Sequence, residues 1–276
     1  MKMSSDELSA WIKVIYEICG TQLDASKAYL IENRLAELAA SKACTNMSAL
    51  LTLLRKDEDV KKQVIDLITT HETSFFRDQQ PFEMLRDRLA PEILLARQKA
   101  GRPAVLRVWI AACSTGQEVW STLMALREGP PIVANANISI VATDISEPVL
   151  AKAAKGQYLA LDIERGLSAV RLKRYFDDQN DVWEVKPELK KCVEFKRLNL
   201  LDPFSFSPVF DIVMCRNVAI YFSEADKIKL FKNISRNLAP DGSLLLGSTE
   251  SIPGLCPEFE TLRYEHSIFY KMKTKL

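Results

Sequence analysis

Along the first seventy residues the apolar side chains recur at helical intervals. Leu8, Trp11, Ile12, Ile15 and Cys19 fall on one face of a helix, Ser4 and Glu7 stand before them at capping-box spacing, and Gly20 ends the run. The same period returns in SKAYLIENRLAELAASK, NMSALLTLLRK and DVKKQVIDLITT, separated by polar breaks. No strand pattern occurs there, so residues 1–80 are predicted to form an N-terminal all-helical domain. Pro81 and Pro91 each stand where the first turn of a helix tolerates a missing amide, and AGRP at 100–103 punctuates the end of the stretch. Residues 81–103 therefore read as a helical linker.

From residue 104 the pattern changes. AVLRVWIAA, ISIVATD, CVEFKRLNL, FDIVMCRN and GSLLLGS are short apolar runs rich in β-branched residues, most of them separated by helical stretches such as VWSTLMALRE and EADKIKLFKNISRNLA. Strands alternating with helices predict an α/β fold, a doubly wound and mostly parallel sheet covered on both faces, over residues 104–276. Between about 156 and 191 the alternation lapses into a mixed stretch with room for a short helix and one or two polar strands, which we read as an insertion on the sheet.

Composition narrows the function classes. Thirty-seven basic against thirty-six acidic side chains leave a net charge of +1, which gives no general field for a polyanion, and no nucleic-acid partner is expected. The six cysteines include no CxxC pair and the chain has two histidines, so neither a disulfide framework nor a metal site is suggested. MKMSSDELSA carries acids where a signal peptide would be apolar, and no apolar run approaches the ~18 residues of a membrane span. The expectation is a cytoplasmic protein without membrane insertion.

In an open α/β sheet, ligands bind outside the carboxyl ends of the strands. The first run is followed there by Ala112 to Glu118, the second ends in Asp144, the third is followed by Asn199 and Leu200, and the fourth by Asn217 and Val218. The first turn, ACSTGQE, has neither the three glycines of a dinucleotide site nor the Gly-Lys-Ser/Thr of a phosphate loop. One glycine among small neighbours suits a ligand without phosphates, Glu118 can accept from a cationic amine, and Asp144 can accept from two ribose hydroxyls. A nucleoside with an amino-acid tail and no phosphate describes S-adenosylmethionine. Each residue also has a plainer reading: Gly116 can serve the turn alone, and Asp144 can cap the helix that begins near Ser146.

TTHETSFFRD, RVWIAACSTGQE, ATDIS, FDIVMCRNVAIYF and DGSLLLGSTES, in this order, resemble the motifs of the CheR-type chemotaxis receptor glutamate methyltransferases. The resemblance covers nearly the whole chain. It implies a small helical N-terminal domain, an adenosylmethionine-dependent methyltransferase domain yielding S-adenosylhomocysteine, and a small β-subdomain inserted where the alternation lapses. It places cofactor contacts on His71, Thr73, Arg77, Glu118, Asp144, Asn199, Leu200, Asn217 and Val218, and roles near the transferred methyl on Arg77 and Tyr221. His71 stands where the best-known members have asparagine; its plainer reading is a polar residue at a helix end. The implied substrate is a glutamate on a chemoreceptor's cytoplasmic helical bundle, methylated for adaptation in chemotaxis-type signalling.

Two features depart from that pattern. The helix matching the basic, receptor-facing one carries only Lys27, Arg34 and Lys42 against Glu32 and Glu37, and residues 1–85 have a net charge of −3. Residues 175–190 are shorter than in members that grip a receptor's C-terminal pentapeptide, so recognition independent of that peptide is expected. A small-molecule or RNA methyltransferase and a non-catalytic cofactor-binding module remain competing readings.

Overall fold

In the computed structural model, which describes residues 2–273, four helices come first: α1 (Ser5–Cys19), α2 (Ala28–Ser41), α3 (Met47–Leu54) and α4 (Glu58–Ile68). Their ends are written in the sequence. The Ser4 hydroxyl accepts from the Glu7 N–H while the Glu7 carboxylate accepts from the Ser4 N–H; Asn46 and Asp57 cap α3 and α4. The four apolar faces close on a core of their own around Trp11, Ile15, Ile31, Leu35, Leu50 and Val64, and the Trp11 Nε1–H donates to the Met47 carbonyl at 3.2 Å. Among the described residues, Ile145 is the one apolar side chain from the sheet side that packs against that core.

Helices α5 (Gln80–Met84) and α6 (Ala90–Lys99) are joined by a π-turn, Leu85–Leu89, into one rod. Pro81 sits at the start of that rod as its type predicts. Pro91 likewise stands in the first turn of α6, and there the helix follows directly on the π-turn, which the Ala90 N–H closes by donating to the Leu85 carbonyl.

The sheet then follows: β1 (Val105–Ala111), α7 (Gln117–Arg127), α8 (Pro131–Ala134), β2 (Asn137–Asp144) and α9 (Glu147–Lys155). The insertion comes next and is richer than one helix and two strands. It holds β3 (Gln157–Leu159), α10 (Ala160–Glu164), α11 (Ala169–Tyr175), β4 (Phe176–Asp178), β5 (Val182–Val185) and α12 (Pro187–Lys190), with a separate antiparallel sheet in the order β3-β5-β4. The main sheet resumes with β6 (Val193–Arg197), β7 (Phe210–Cys215), α13 (Glu224–Asn237) and β8 (Leu238–Leu246), and closes with a hairpin, β9 (Phe259–Tyr264) and β10 (Ser267–Met272).

Its seven strands run β6-β2-β1-β7-β8-β10-β9, the first five parallel and β10 antiparallel to both neighbours. Alternation along the strands divides the core in two: Val108, Ile110, Ile212 and Met214 face one layer, Trp109, Ala111, Val213 and Cys215 the other. All these side chains are buried, so the sheet is a rigid base for whatever its rim carries. Among the described residues no helix is long and apolar enough to cross a membrane.

Candidate functional site

At the carboxyl rim of β1, β2, β6 and β7 lies a cleft roofed by the ends of α1 and α4. His71, Thr73, Arg77, Glu118, Asp144, Asn199, Leu200, Asn217, Val218 and Tyr221 all line it, together with Cys19, Thr21, Ser114 and Arg216. Residues nearly two hundred positions apart in sequence thus converge on one space.

The β1–α7 turn is shaped by backbone geometry. Ala112 and Ser114 adopt φ of +58° and +50°, and Gly116 adopts +92°. A Cβ on Gly116 would meet the Ala153 Cβ at 2.8 Å and the Tyr158 hydroxyl at 3.0 Å. Gly116 therefore serves the turn and the close approach of α9, and it does not border the cleft. The turn folds Ser114 inward, where its N–H donates to Asp144 Oδ2 at 2.8 Å and its hydroxyl donates to the His71 carbonyl at 2.9 Å.

Asp144 ends β2 and is buried. Its other oxygen accepts from the Ser146 N–H at 3.1 Å, while the helix after it is capped by the Ser146 hydroxyl. Each carboxylate oxygen so keeps acceptor capacity for a ligand. Burial pushes the Asp144 carboxyl above its ordinary range, against the two N–H donors that hold it down. Burial likewise raises Glu118, whose side chain is 14% exposed, although the Arg216 guanidinium beside it opposes the shift. Burial also pushes the Cys19 and Cys113 thiols up, so both remain neutral in the cleft.

Arg216, the residue after β7, organises one wall. Its buried guanidinium pairs with Glu118 through Nη1, donates through Nη2 to the Arg77 carbonyl at 2.9 Å and to Asp78 at 3.1 Å, and lies 5.5 Å from the centre of the Phe82 ring. Asp78 is thereby taken by Arg216 and not by its neighbour Arg77, whose Nη1 donates to the Glu72 carbonyl at 3.3 Å. Phe75 and Phe76 anchor the same segment: Phe75 packs edge-on against Tyr158 and Phe176, and Arg171 lies 3.7 Å over Phe76. The insertion thus braces the loop that carries Arg77.

His71 takes its plainer part as well as lining the cleft. Its Nε2 lies 3.1 Å from both the Asp66 carbonyl and the Thr69 hydroxyl at the end of α4. A carbonyl only accepts, and the Thr69 hydroxyl donates to the Ile65 carbonyl at 2.7 Å, so Nε2 of His71 is the donor in both contacts. Asn199 faces two ways: its Nδ2 donates to the Ile18 carbonyl at the end of α1, and its Oδ1 accepts from the Leu201 N–H. Asn217 stands at φ +58°, and the Tyr221 carbonyl accepts from the Gln22 N–H at 2.9 Å.

Two residues escaped the sequence reading. Arg216 was hidden because a charged residue after a strand is commonplace; the signal was its place inside the motif CRN. Glu250 was hidden in the loop after β8, and its carboxylate accepts from four backbone N–H groups.

Comparison with known families agrees with this geometry. The profile described as CheR methyltransferase, all-alpha domain, matches residues 6–69, and that described as CheR methyltransferase, SAM binding domain, matches residues 71–268. Chemotaxis protein methyltransferase 1 of Pseudomonas aeruginosa is 38% identical over 260 residues, covering 92% of this chain and 93% of that protein. Chemotaxis protein methyltransferase Cher2 of Pseudomonas putida is 38% identical over 92% of this chain and 94% of its own length. The chemotaxis protein methyltransferase of Vibrio parahaemolyticus is 36% identical over 98% of both. A helical unit seated on a mostly parallel sheet, with matching profiles over both parts, establishes that the chain belongs to the CheR methyltransferase family.

Proposed function

We propose that this protein transfers a methyl group from S-adenosylmethionine to glutamate side chains of a chemoreceptor's cytoplasmic helical bundle, forming methyl esters. The observation that carries this is the convergence of two carboxylates, the buried Asp144 and the largely buried Glu118, with Arg77 and Tyr221 in one cleft at the sheet rim.

The lining fits such a cofactor. Buried carboxylates without a phosphate cradle suit a cationic nucleoside, and Ile145, Leu198, Leu200 and Val218 offer apolar walls for its base. Asp144 would accept from the ribose hydroxyls, Glu118 would accept from the ammonium group, and His71 would hydrogen-bond the methionine tail. Thr73, Asn199 and Asn217 complete the polar boundary. When bound, adenosylmethionine supplies an electrophilic methyl on a sulfonium.

The protein's own part is alignment and removal of water. A glutamate carboxylate, with a pKa near ~4.3, is already ionised at neutral pH, so no base has to take a proton from it. Arg77 is the donor that would hold the incoming carboxylate, and Tyr221 would fix its free oxygen from the other wall. The Arg77 side chain, without a carboxylate partner among the described residues, suits that part. Arg216 presents Arg77 by holding its carbonyl and the Asp78 side chain.

We further propose that receptor docking does not use a C-terminal pentapeptide. The edge strands of the inserted sheet, β3 and β4, have three residues each, a short template for an added strand. The helix α2 is a poor basic docking face: within it Arg34 stands against Glu32 and Glu37, with Lys27 and Lys42 just outside its ends, and Arg34 Nη1 donates to the Ile68 carbonyl at 2.6 Å. Incubation with labelled adenosylmethionine and a panel of receptor cytoplasmic fragments tests the reading. Base-labile label on glutamate is expected with fragments lacking the tail peptide; label on RNA or small molecules alone would overturn it.

A further inference from the structure

The strands β7 and β8 run parallel as neighbours, with Cys215 opposite Leu246, so the loops that follow them leave the sheet side by side. The β7 loop bears Asn217, Val218 and Tyr221. Its backbone is irregular: Asn217 is left-handed at φ +58°, and Ala219–Tyr221 forms a single 3-10 turn. Such a path turns successive N–H groups to one side, where they make a cradle for an anion.

The cradle is filled from within the chain. Glu250, half-buried on the β8 loop, accepts through Oε2 from the Asn217 N–H at 2.6 Å and the Gly247 N–H at 2.8 Å. Through Oε1 it accepts from the Val218 N–H at 3.1 Å and the Ile220 N–H at 3.2 Å. Four donors match the acceptor capacity of one carboxylate. The site admits little variation: a Cβ on Gly247 would stand 2.7 Å from both Glu250 Oε2 and Asn217 Nδ2.

We propose that Glu250 is a positioning residue, whose carboxylate holds the backbone of residues 217–220 so that Asn217, Val218 and Tyr221 face the cleft. The proposal rests on the reading of that cleft as the methyl-donor site. Glu250 acts through the loop and touches no reacting atom. A neutral amide at this position keeps one acceptor oxygen but turns an NH2 group on the same cradle, where donor meets donor.

The test compares the full-length protein with Glu250→Gln, reading S-adenosylhomocysteine affinity by calorimetry, amide hydrogen exchange at residues 217–220 and 247, and the melting temperature. The expected result is an affinity loss of about tenfold, with faster exchange confined to those amides and turnover falling through kcat as well as KM. Glu250→Asp, which keeps the charge on a shorter stem, should recover part of the affinity, and it replaces the glutamine variant if that one does not fold. A folded variant with wild-type affinity overturns the proposal, whether or not exchange changes, because Glu250 would then be only structural. Wild-type protein that binds no S-adenosylhomocysteine instead takes down the cofactor reading, and this inference with it. Tyr221→Phe, run alongside, separates the roles: it should lower turnover without altering exchange.

Discussion

The sheet rim and the helical roof border the same cleft, but the rim presents ionisable groups that must be buried, whereas the roof presents backbone and small polar groups resting on top. Asp144 and Glu118 are held in low-dielectric surroundings that push their carboxyls up. Above them stand Cys19, Thr21 and residues 68–70, belonging to a unit with a separate core. Among the described residues few bonds join the two: Asn199 to the Ile18 carbonyl, Gln22 to the Tyr221 carbonyl, Tyr16 to Ser223 and Asp226, and, away from the cleft, Lys62 to Glu147. The difference teaches that grip on the ligand and exclusion of water are built by separate parts of the chain, so mutations on each should read out differently.

Arg77, on the segment joining the two parts, should give the largest effect. Its side chain is only partly buried and bears on ligands, so Arg77→Ala should fold normally and lose about 10²- to 10³-fold in turnover, the scale for removing a donor aimed at a reacting group. Steady-state rates with a receptor fragment check this. Full turnover in the variant would move the chemistry away from this junction.

On the rim, Asp144→Ala should weaken S-adenosylhomocysteine binding by about 1.5–3 kcal/mol, as expected for hydrogen bonds to a charged group. Calorimetry that finds unchanged affinity removes Asp144 from the site. The raised carboxyls also fix a pH dependence. A carboxyl whose folded pKa is raised keeps its proton above the ordinary range, so its contribution to stability is greatest at low pH and falls as pH climbs through the raised value. Ligand binding needs the ionised form and should do the reverse, weakening as pH falls into the window just above the usual carboxylate range. Affinity that strengthens on acidification would contradict the burial of Asp144 and Glu118.

On the roof, Gly20→Ala tests closure without touching a ligand contact. Gly20 ends α1 at φ +73°, and a Cβ there would stand 2.5 Å from Leu201 Cδ1 and 3.1 Å from Phe222 Cδ1. A left-handed non-glycine residue costs about 1–2 kcal/mol, and relief requires α1 to lift away from the loop that carries Asn199. Affinity should fall by a comparable amount while the helical core stays intact by far-UV circular dichroism. Wild-type affinity would show that the roof does not need to sit closely.

How much of this was legible depended on whether a signal was local. The capping box at Ser4, the stop at Gly20 and the five apolar runs of the sheet are local, and the structure has them. The β9–β10 hairpin was passed over because FETLRYEHSIFY does not alternate: Glu260 and Thr261 are both polar, and Ile268, Phe269 and Tyr270 follow one another beyond the turn at Glu265. Pro81 and Pro91 both stand in first turns as read, but the π-turn that joins their two helices into one rod had no signal in the sequence. The candidate residues could be gathered from strand ends and motif order, yet their partners could not. That Arg216 would take Asp78, or Glu250 four backbone amides, depends on strands that are neighbours in space and not in sequence. Gly116 read as room for a ligand, and its neighbour proved to be Ala153.

The smallest effect belongs to the outer seam between the two parts. Lys62 on α4 lies 3.4 Å from Glu147 at the start of α9, and Arg197 reaches the same carboxylate at 3.6 Å. Lys62 and Glu147 are 38% and 52% exposed, so water and salt screen the pair, and such pairs contribute about 0.2–1 kcal/mol. Lys62→Ala should therefore shift the melting temperature slightly, less so at high salt, and leave S-adenosylhomocysteine affinity unchanged. If this distant change weakened ligand binding as much as Gly20→Ala, the roof would be docked by its rim of charges and not by the turn at Gly20. The separation of grip and closure would then have to be redrawn along the seam.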